Sequence, residues 1–306
     1  MLIKKIAMRN KLKNRNNEEE PDRKALSKEY DLLGEQNVLH LIAPYPHPKL
    51  LEYFLSIKEI DVNKKSCYGS TPLNEYIEFV EEYHGSRKIG NQVLEALLKA
   101  GADPNIPNNK EQYPIISAIQ LRKLFCLEIL AKYKANLNVV NYEGDSPLVI
   151  CVKRKQLKNT EILLKSGADP NFKDQMDRTP LHFALNSSKA TADASFEMES
   201  ILIQHGADIN AIDKRKRTPL HYAFIKFGNP FSISQADPVE TVTSYCSKDN
   251  CNVNIVDDQG NTPLHYAAQR GAQISALTLV KKGADVSIKN NDGNTPLAVA
   301  LKCGHQ

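Results

Sequence analysis

The tripeptide Thr-Pro-Leu recurs along this chain at a nearly constant spacing, and no other sequence feature constrains the fold as strongly. Its complete copies lie at residues 71–73, 179–181, 218–220, 262–264 and 295–297, and its degenerate copies at 38–40, 113–115 and 146–148. The Leu or Ile of each copy is 33 to 44 residues from that of the next, and three of the seven spacings are 33. A period near 33 residues predicts a repeat protein, in which each unit buries its apolar face only by stacking on its neighbours.

Each copy of the tripeptide predicts the start of a helix. A Thr at the N-cap accepts a hydrogen bond from the first turn, and a Pro at the first helical position loses no hydrogen bond. A second helix is predicted to follow and to end in paired apolar residues such as Leu163-Leu164. The left-handed residue that closes the second helix is supplied in four repeats by Gly101, Gly167, Gly206 and Gly283. Asn250 replaces this glycine in another repeat, where we expect the same left-handed conformation.

In three copies the tripeptide extends to Thr-Pro-Leu-His-x-Ala, and the histidines are His182, His221 and His265. Together with the 33-residue period, this motif resembles the ankyrin repeat over about residues 36–303. The resemblance implies an all-α ankyrin-repeat solenoid of about eight stacked helix-turn-helix repeats with projecting finger turns, of which the last is incomplete. It also implies that the three histidines lie in the repeat cores and hydrogen-bond to backbone between repeats, rather than bind a metal ion.

We expect two regions, an N-terminal arm over residues 1–35 that is largely disordered and the repeat array over residues 36–306. The formal net charge is +4, but residues 1–16 contain six basic residues and no acid, so the remainder carries −2. This balance gives no reason to expect nucleic acid as a partner. Because no apolar run approaches 18 residues, no integral membrane segment is expected. An alternative for the arm is a basic amphipathic turn that touches a membrane through Leu2, Ile3 and Ile6.

No motif in the sequence predicts catalysis, a cofactor or a metal site. Nothing resembles a nucleotide-binding loop, a G-x-S-x-G elbow or a metalloprotease helix, so we expect a protein that is not an enzyme and needs no cofactor. Cys246 and Cys251 form a C-x₄-C pair, but alignment of the repeats places them where Leu163 and Ala168 lie. This alignment favours small packing residues over zinc ligands. The six scattered cysteines favour a reducing compartment.

The ankyrin resemblance also implies a binding surface, since partners of that family bind the concave face formed by finger tips and first helices. Carried across to this chain, the partner-binding positions are Tyr68, Tyr142, Lys153, Arg154, Gln175, Met176, Arg178, Lys214, Arg215, Arg217, Ile225 and Lys226. Exposed Tyr, Met and Arg are typical of binding hot spots. An insertion between two helices adds Phe227 and Phe231 as a secondary surface.

Seven cations of this set lie on three consecutive repeats, namely Lys153, Arg154, Arg178, Lys214, Arg215, Arg217 and Lys226. Because packed helices lie about 8–10 Å apart, we expect these charges to gather into one positive patch. Such a patch would select an acidic or phosphorylated segment and steer its approach. We therefore expect reversal of Arg178, Arg215 and Arg217 to Glu to weaken binding strongly and to leave thermal stability nearly unchanged.

The sequence thus predicts a non-enzymatic protein-binding module or adaptor, monomeric and cytoplasmic, that binds an acidic partner segment. One alternative is an ankyrin-type effector that an intracellular microbe delivers into a host cell, favoured by 30 Lys against 10 Arg and by 26 Asn. Another is the ankyrin portion of a larger enzyme or channel, favoured by the missing second helix of the last repeat. The run Lys214–Arg217 resembles a short nuclear-import sequence, which keeps a nuclear location open.

Overall fold

The computed structural model describes residues 36–43, 48–80, 87–185, 192–225 and 237–305, and these residues form fifteen α-helices and no β-strand. The all-α class predicted from the sequence is confirmed. The chain divides into two compact units, residues 1–142 and 143–306. The predicted arm at 1–35 lies outside the described residues, and the count of eight repeats stays a prediction.

The first unit contains three consecutive helix pairs. Its helices are α1 (Val38–Ile42), α2 (Pro48–Leu55), α3 (Pro72–Phe79), α4 (Arg87–Lys99), α5 (Pro114–Gln120) and α6 (Leu124–Lys132). The odd-numbered helices pack side by side in one row, and the even-numbered helices pack in a second row. Each odd-numbered helix also packs on the even-numbered helix that follows it, so the apolar core lies between the two rows.

The second unit repeats this arrangement. Its helices are α7 (Pro147–Lys153), α8 (Leu157–Lys165), α9 (Pro180–Leu185), α10 (Ala192–Gln204), α11 (Pro219–Tyr222), α12 (Val239–Cys246), α13 (Pro263–Arg270), α14 (Gln273–Lys281) and α15 (Pro296–Lys302). The odd-numbered helices, which begin at the tripeptides, again pack in one row, and α8, α10, α12 and α14 pack in the other. We refer to the helices that begin at tripeptides as first helices and to the others as second helices.

The first helices begin as the tripeptide predicts. The side chains of Thr71, Ser146 and Thr295 each accept a hydrogen bond from the backbone N–H three residues on, and Pro follows at the first helical position. Tyr113 replaces this cap in a degenerate copy and makes no side-chain cap hydrogen bond. The helix α5 therefore begins without the cap that stabilises the others by about 1 kcal/mol.

The second helices end at the predicted glycines. These four glycines have φ angles of 89° to 100°, and the N–H of the residue that follows each one bonds back to the last helical turn, as from Ala168 to the Leu163 carbonyl at 2.9 Å. Lys134 takes the same left-handed position with φ of 60°. The expectation for Asn250 is wrong, because Asn250 is not among the described residues with positive φ. The chain leaves α12 by a different turn, in which the Cys251 N–H donates to the Lys248 carbonyl at 3.2 Å.

The Leu or Ile of the tripeptide is the central core residue of its repeat. It is 0% to 4% exposed in seven copies, at Leu39, Leu73, Ile115, Leu148, Leu181, Leu220 and Leu264. In the last copy Leu297 is 68% exposed, because no first helix follows α15 in the described residues.

Candidate partner-binding surface

Five-residue fingers precede the first helices, and in the second unit they include residues 174–178, 213–217 and 257–261. Each begins with an Asp whose Oδ1 accepts two backbone N–H groups. For Asp213 these come from Arg215 and Arg217, both at 2.8 Å, and the N–H of Asp213 donates to the Arg217 carbonyl at 3.0 Å. We call the first and fifth residues the finger base and the three between them the finger tip. The base is closed by this ring of hydrogen bonds.

The finger bases hold two of the predicted binding arginines in ion pairs. Arg178 Nη2 lies 2.6 Å from Asp174 Oδ2, and Arg217 Nη2 lies 2.9 Å from Asp213 Oδ2. The carboxylate side chains are only 5% and 1% exposed, and the guanidinium side chains 22% and 15%. A buried carboxylate is costly unless it is paired, so these arginines neutralise charge inside the fold.

Asp213 has a third partner in Tyr222 of α11, whose hydroxyl donates to Asp213 Oδ2 at 2.7 Å. Burial acts to raise the pKa of Asp213, but the hydrogen bonds from Tyr222 and Arg217 and the positive charge of Arg217 outweigh it, and the pKa is lowered. The Arg217 guanidinium also lies 4.9 Å from the centroid of the Tyr222 ring. These contacts join the finger to the first helix that follows it.

Lys153, the last residue of α7, is likewise engaged. Its Nζ lies 2.6 Å from Asp145 Oδ2, and the Asp145 side chain is 4% exposed. The same ammonium lies 4.6 Å from the centroid of the Phe183 ring, and the Arg178 guanidinium lies 4.7 Å from it. Two cations therefore pack on one aromatic side chain of α9.

These ion pairs correct the expectation of a seven-cation patch. Lys153, Arg178 and Arg217 each pair with a buried carboxylate, so much of their charge is compensated within the fold. They also correct the expected result of charge reversal, because Glu at residue 178 or 217 would face a buried carboxylate. Such a substitution would lower stability as well as binding.

In the second unit, the exposed cations of the described fingers lie at the tip of finger 213–217. Lys214, Arg215 and Lys216 are all exposed. The Lys214 N–H donates to the Met176 carbonyl at 2.9 Å, and the Asp258 N–H donates to the Arg215 carbonyl at 2.9 Å. Successive tips are therefore joined in one row by backbone hydrogen bonds.

The neighbouring tips limit the width of this positive segment. Before it lie Gln175 and Met176, both exposed, with Met176 40% exposed, and the half-buried Asp177. After it lie the exposed Asp258 and Gln259. The row is thus positive at one finger and neutral or acidic on either side.

The other predicted positions are dispersed. Tyr68 and Tyr142 are 71% and 72% exposed on fingers of the first unit, Arg154 is exposed where α7 ends, and Ile225 is half-buried after α11. Lys226, Phe227 and Phe231 lie outside the described residues.

Two exposed apolar residues beside fingers of the second unit were missed by sequence reasoning. Ile212 is 42% exposed and Val256 is 39% exposed, and each directly precedes the Asp that begins a finger. The available signal was a β-branched apolar residue at this position in two adjacent repeats, while the neighbouring Ala211 is 8% exposed. These side chains add an apolar component to the row of fingers.

The three motif histidines hold the finger bases from within the core. His182 Nδ1 accepts the Thr179 N–H at 3.0 Å, and its Nε2 donates to the Arg217 carbonyl at 3.0 Å. The equivalent bonds of His221 and His265 to carbonyls of the next finger are 3.1 Å each. Burial lowers the pKa of His182 and of His221 to about 4, so both are neutral at pH 7. The core role that the family resemblance implied is confirmed.

The described residues contain neither a metal-binding cluster nor a membrane-spanning helix. In the described ranges no group of three or more His, Cys, Asp or Glu side chains is arranged to hold a metal ion. No helix in that part of the chain is both long enough and apolar enough to cross a bilayer.

Rows of paired helices, histidine tethers and linked fingers define a helical repeat protein. A model of the ankyrin repeat family matches the chain in three copies, over residues 84–174, 167–233 and 231–306. These matches cover well over half of the chain, which therefore belongs to the ankyrin repeat family. Ankyrin repeats are generally protein–protein interaction modules and are typically non-enzymatic. A search of curated proteins found no match.

Proposed function

We propose that this chain is an adaptor that binds an acidic segment of a partner protein along the finger tips of its second unit. The observation that carries this proposal is the exposed triplet Lys214-Arg215-Lys216 at the tip of a finger whose base is closed by Asp213. Clustered positive charge raises the association rate with an acidic partner and favours it over basic ones.

The rigid base supports the proposal energetically. The tip is anchored below by the Asp213–Arg217 ring of hydrogen bonds and on both sides by 2.9 Å backbone bonds to Met176 and Asp258. A partner that binds it therefore orders side chains but little backbone. Preorganisation of this kind increases affinity because less conformational entropy is lost on binding.

The apolar side chains near the exposed triplet indicate which kind of partner segment would fit this surface. Met176, Ile212 and Val256 are each about 40% exposed on or beside the fingers. Because interface cores bury apolar and aromatic side chains while charged pairs lie at the rim, we propose a segment in which acidic residues alternate with large apolar ones.

The test is direct binding of a designed probe. A fluorescein-labelled peptide in which Glu alternates with Leu and Phe is titrated with the full chain, and fluorescence anisotropy is measured at two salt concentrations. We expect saturable binding that weakens as salt rises. The control peptide carries Lys at every Glu position and is expected not to bind. Equal binding of both peptides, or binding of neither, would contradict the proposal.

We also propose a cytoplasmic location. All six cysteines lie in the described residues and all are free thiols, which supports a reducing compartment.

A further inference from the structure

Large apolar side chains are exposed in unusual number on the last two helices of the second unit. Six of the fifteen large apolar residues that are exposed in the described part of the chain lie between residues 274 and 301, whereas the other nine are spread over residues 68–256. Such a concentration marks an interaction surface more often than single exposed residues do. We call these six residues, which are 44% to 68% exposed, the apolar end, and they are Ile274, Leu277, Val280, Val286, Leu297 and Leu301.

Part of this exposure follows from the position of α14 and α15 at the end of the two rows of helices. Leu297 and Leu301 of α15 align with Leu181 and Leu185 of α9, which are 0% and 6% exposed. Val280 of α14 likewise aligns with Leu164 of α8, which is 6% exposed. These positions are buried in an inner repeat by the repeat that follows, and no helix follows α15 in the described residues.

The exposure of Leu277 has a different origin. Counted back from the position of the closing glycine, the residue aligned with Leu277 is polar in all five second helices from α4 to α12. Ile274 lies three residues earlier, where four of these helices are polar and the exception is the buried Phe125. The residues aligned with Leu277 are Glu95, Glu128, Glu161, Ser200 and Ser244.

This difference indicates what kind of occupant covers the apolar end. The helices α4, α8, α10 and α12 each pack against the next second helix and still carry a polar residue at the position of Leu277. A further repeat stacked on α14 would therefore leave that position polar. The apolar residues at 274 and 277 indicate an occupant that covers more of α14 than a following repeat does.

A second copy of the same chain offers a matching surface. Among the described residues, large exposed apolar side chains are concentrated only at the apolar end, so its best apolar complement in this chain is the same end of another copy. Leu297 and Leu301 lie one turn apart on one face of α15. If two α15 helices pack antiparallel about a two-fold axis, Leu297 of each copy contacts Leu301 of the other, as an isologous interface requires.

The apolar area is sufficient for a dimer. Full burial of a Val, Leu or Ile side chain removes about 60–120 Å² of apolar surface from water. At exposures of 44% to 68%, the six side chains therefore present about 200–400 Å². A dimer of standard size buries about 800 Å² on each subunit, of which about 65% is apolar. The apolar end supplies about half of that apolar area, and the half-buried Ala298 and Val299 add to it.

We propose that the chain forms a two-fold symmetric dimer through the apolar end, with α14 and α15 of each copy covering those of the other. This dimer differs from the monomer expected from the sequence. It leaves the tip of finger 213–217 outside the interface and does not depend on the proposed partner segment.

The first test is the mass of the full chain in solution. Sedimentation equilibrium is measured at about 1–100 µM, a range in which interfaces of modest size dissociate. A reductant keeps the exposed Cys67 and Cys303 from forming disulfides. We expect the mass to rise from one chain to two and no further, and the dimer to persist as salt rises because apolar burial drives it. A chain that stays monomeric, or whose mass grows past two copies, would overturn the proposal.

A double variant tests the residues that distinguish α14 from the other second helices. Ile274→Lys/Leu277→Glu introduces the residue types that α8 carries at these positions and leaves the net charge unchanged. We expect the dissociation constant of the dimer to rise at least about tenfold while circular dichroism stays unchanged. The matched control is Ile212→Lys/Val256→Glu, which makes the same change at apolar residues that are 42% and 39% exposed beside the fingers. Unchanged association in the first variant, or an equal loss in the control, would refute an interface at the apolar end.

Hydrogen exchange locates the contact and identifies other occupants. As the concentration of the chain rises, amide exchange should slow in α14 and α15 and stay unchanged at residues 214–216. Slow exchange in α14 and α15 of a monomer would mean that another segment of the same chain covers the apolar end. Fast exchange there at every concentration would leave the apolar end to a different protein, and either result would overturn the dimer.

Discussion

The base and the tip of finger 213–217 carry arginines in opposite roles. Arg217 at the base is 15% exposed and paired with a carboxylate that is 1% exposed, whereas Arg215 lies exposed at the tip, two residues earlier. Finger 174–178 shows the same division, with Arg178 paired at the base and Met176 exposed at the tip. The position of a cation within the finger, not its residue type, decides whether it pairs with a buried carboxylate or remains exposed.

The substitution with the largest expected effect on stability removes the carboxylate of a finger base. Asp213→Ala removes the acceptor of two backbone N–H groups and leaves the partly buried Arg217 without its carboxylate. We expect a loss of about 3–5 kcal/mol in the free energy of unfolding, measured by urea denaturation. Asp213→Asn keeps one acceptor oxygen and should cost less, as Asn occupies the equivalent base position at Asn290.

The matched control for this variant is Asp258→Ala, which removes an exposed carboxylate from the adjacent finger tip. We expect its stability to lie within about 0.5 kcal/mol of the wild type. Comparable losses for the two variants would show that base and tip do not differ as described.

Acid should lower the free energy of unfolding through the buried histidines that hold the finger bases. His182 and His221 have pKa values of about 4 in the fold against an ordinary 6.5, so between these values the unfolded chain binds more protons than the folded chain. Their contribution is complete above pH 6.5 and is lost as pH falls through this range. From pH 7 to pH 5 we expect a decrease of about 2 kcal/mol for each histidine. A flat stability profile over this interval, measured in urea, would contradict neutral histidine tethers.

The buried carboxyl group of Glu199 changes stability with pH in the opposite direction to the two histidines. Its replacement therefore gives a second test of how stability depends on pH. Glu199 is 1% exposed between second helices, and burial raises its pKa to about 7, the Ser244 hydroxyl being its hydrogen-bond donor at 3.3 Å. Because the pKa of Glu199 is higher in the folded chain than in the unfolded chain, its contribution to the free energy of unfolding falls as pH rises from about 4.5 to 7. Relative to wild type, Glu199→Gln should gain roughly 2 kcal/mol more at pH 8 than at pH 5. If Glu199→Gln changed the free energy of unfolding equally at both pH values, the Glu199 carboxylate would be exposed to solvent rather than buried.

The smallest expected effect concerns the tip itself. Lys216 adopts a left-handed φ of 58°, at the finger position where Gly260 and Gly293 lie in the later repeats. Lys216→Gly removes this strain but adds freedom to the unfolded chain, so the two effects nearly cancel. We expect a change within about 0.5 kcal/mol in the thermal or urea midpoint. A large loss would mean that the Lys216 side chain belongs to the base.

The fold could be predicted from the sequence because each of its signals is local and repeated. Thr71 and Thr295 predict helix starts, and Gly167 predicts a helix end, independently of the rest of the chain. The finger pairs could not be predicted in this way. Asp213 and Arg217 have the i,i+4 spacing of a helical pair, but they meet because a non-helical five-residue turn closes on itself. Asp145 meets Lys153 across eight residues, from the end of a finger to the end of the helix that follows.

We propose that the tip of finger 213–217 binds an acidic segment and that its base does not. The most direct measurement compares peptide affinity and unfolding free energy for the double variant Lys214→Glu/Arg215→Glu with a double variant of equal charge change, Lys158→Glu/Lys281→Glu, whose residues are exposed on second helices. We expect the tip variant to lose at least about tenfold in affinity for the acidic peptide and the second-helix variant to lose less than about threefold. Both variants should have a free energy of unfolding within about 0.5 kcal/mol of wild type. Equal losses in both variants would show that binding follows net charge alone, and an unchanged affinity in the tip variant would show that the partner binds elsewhere.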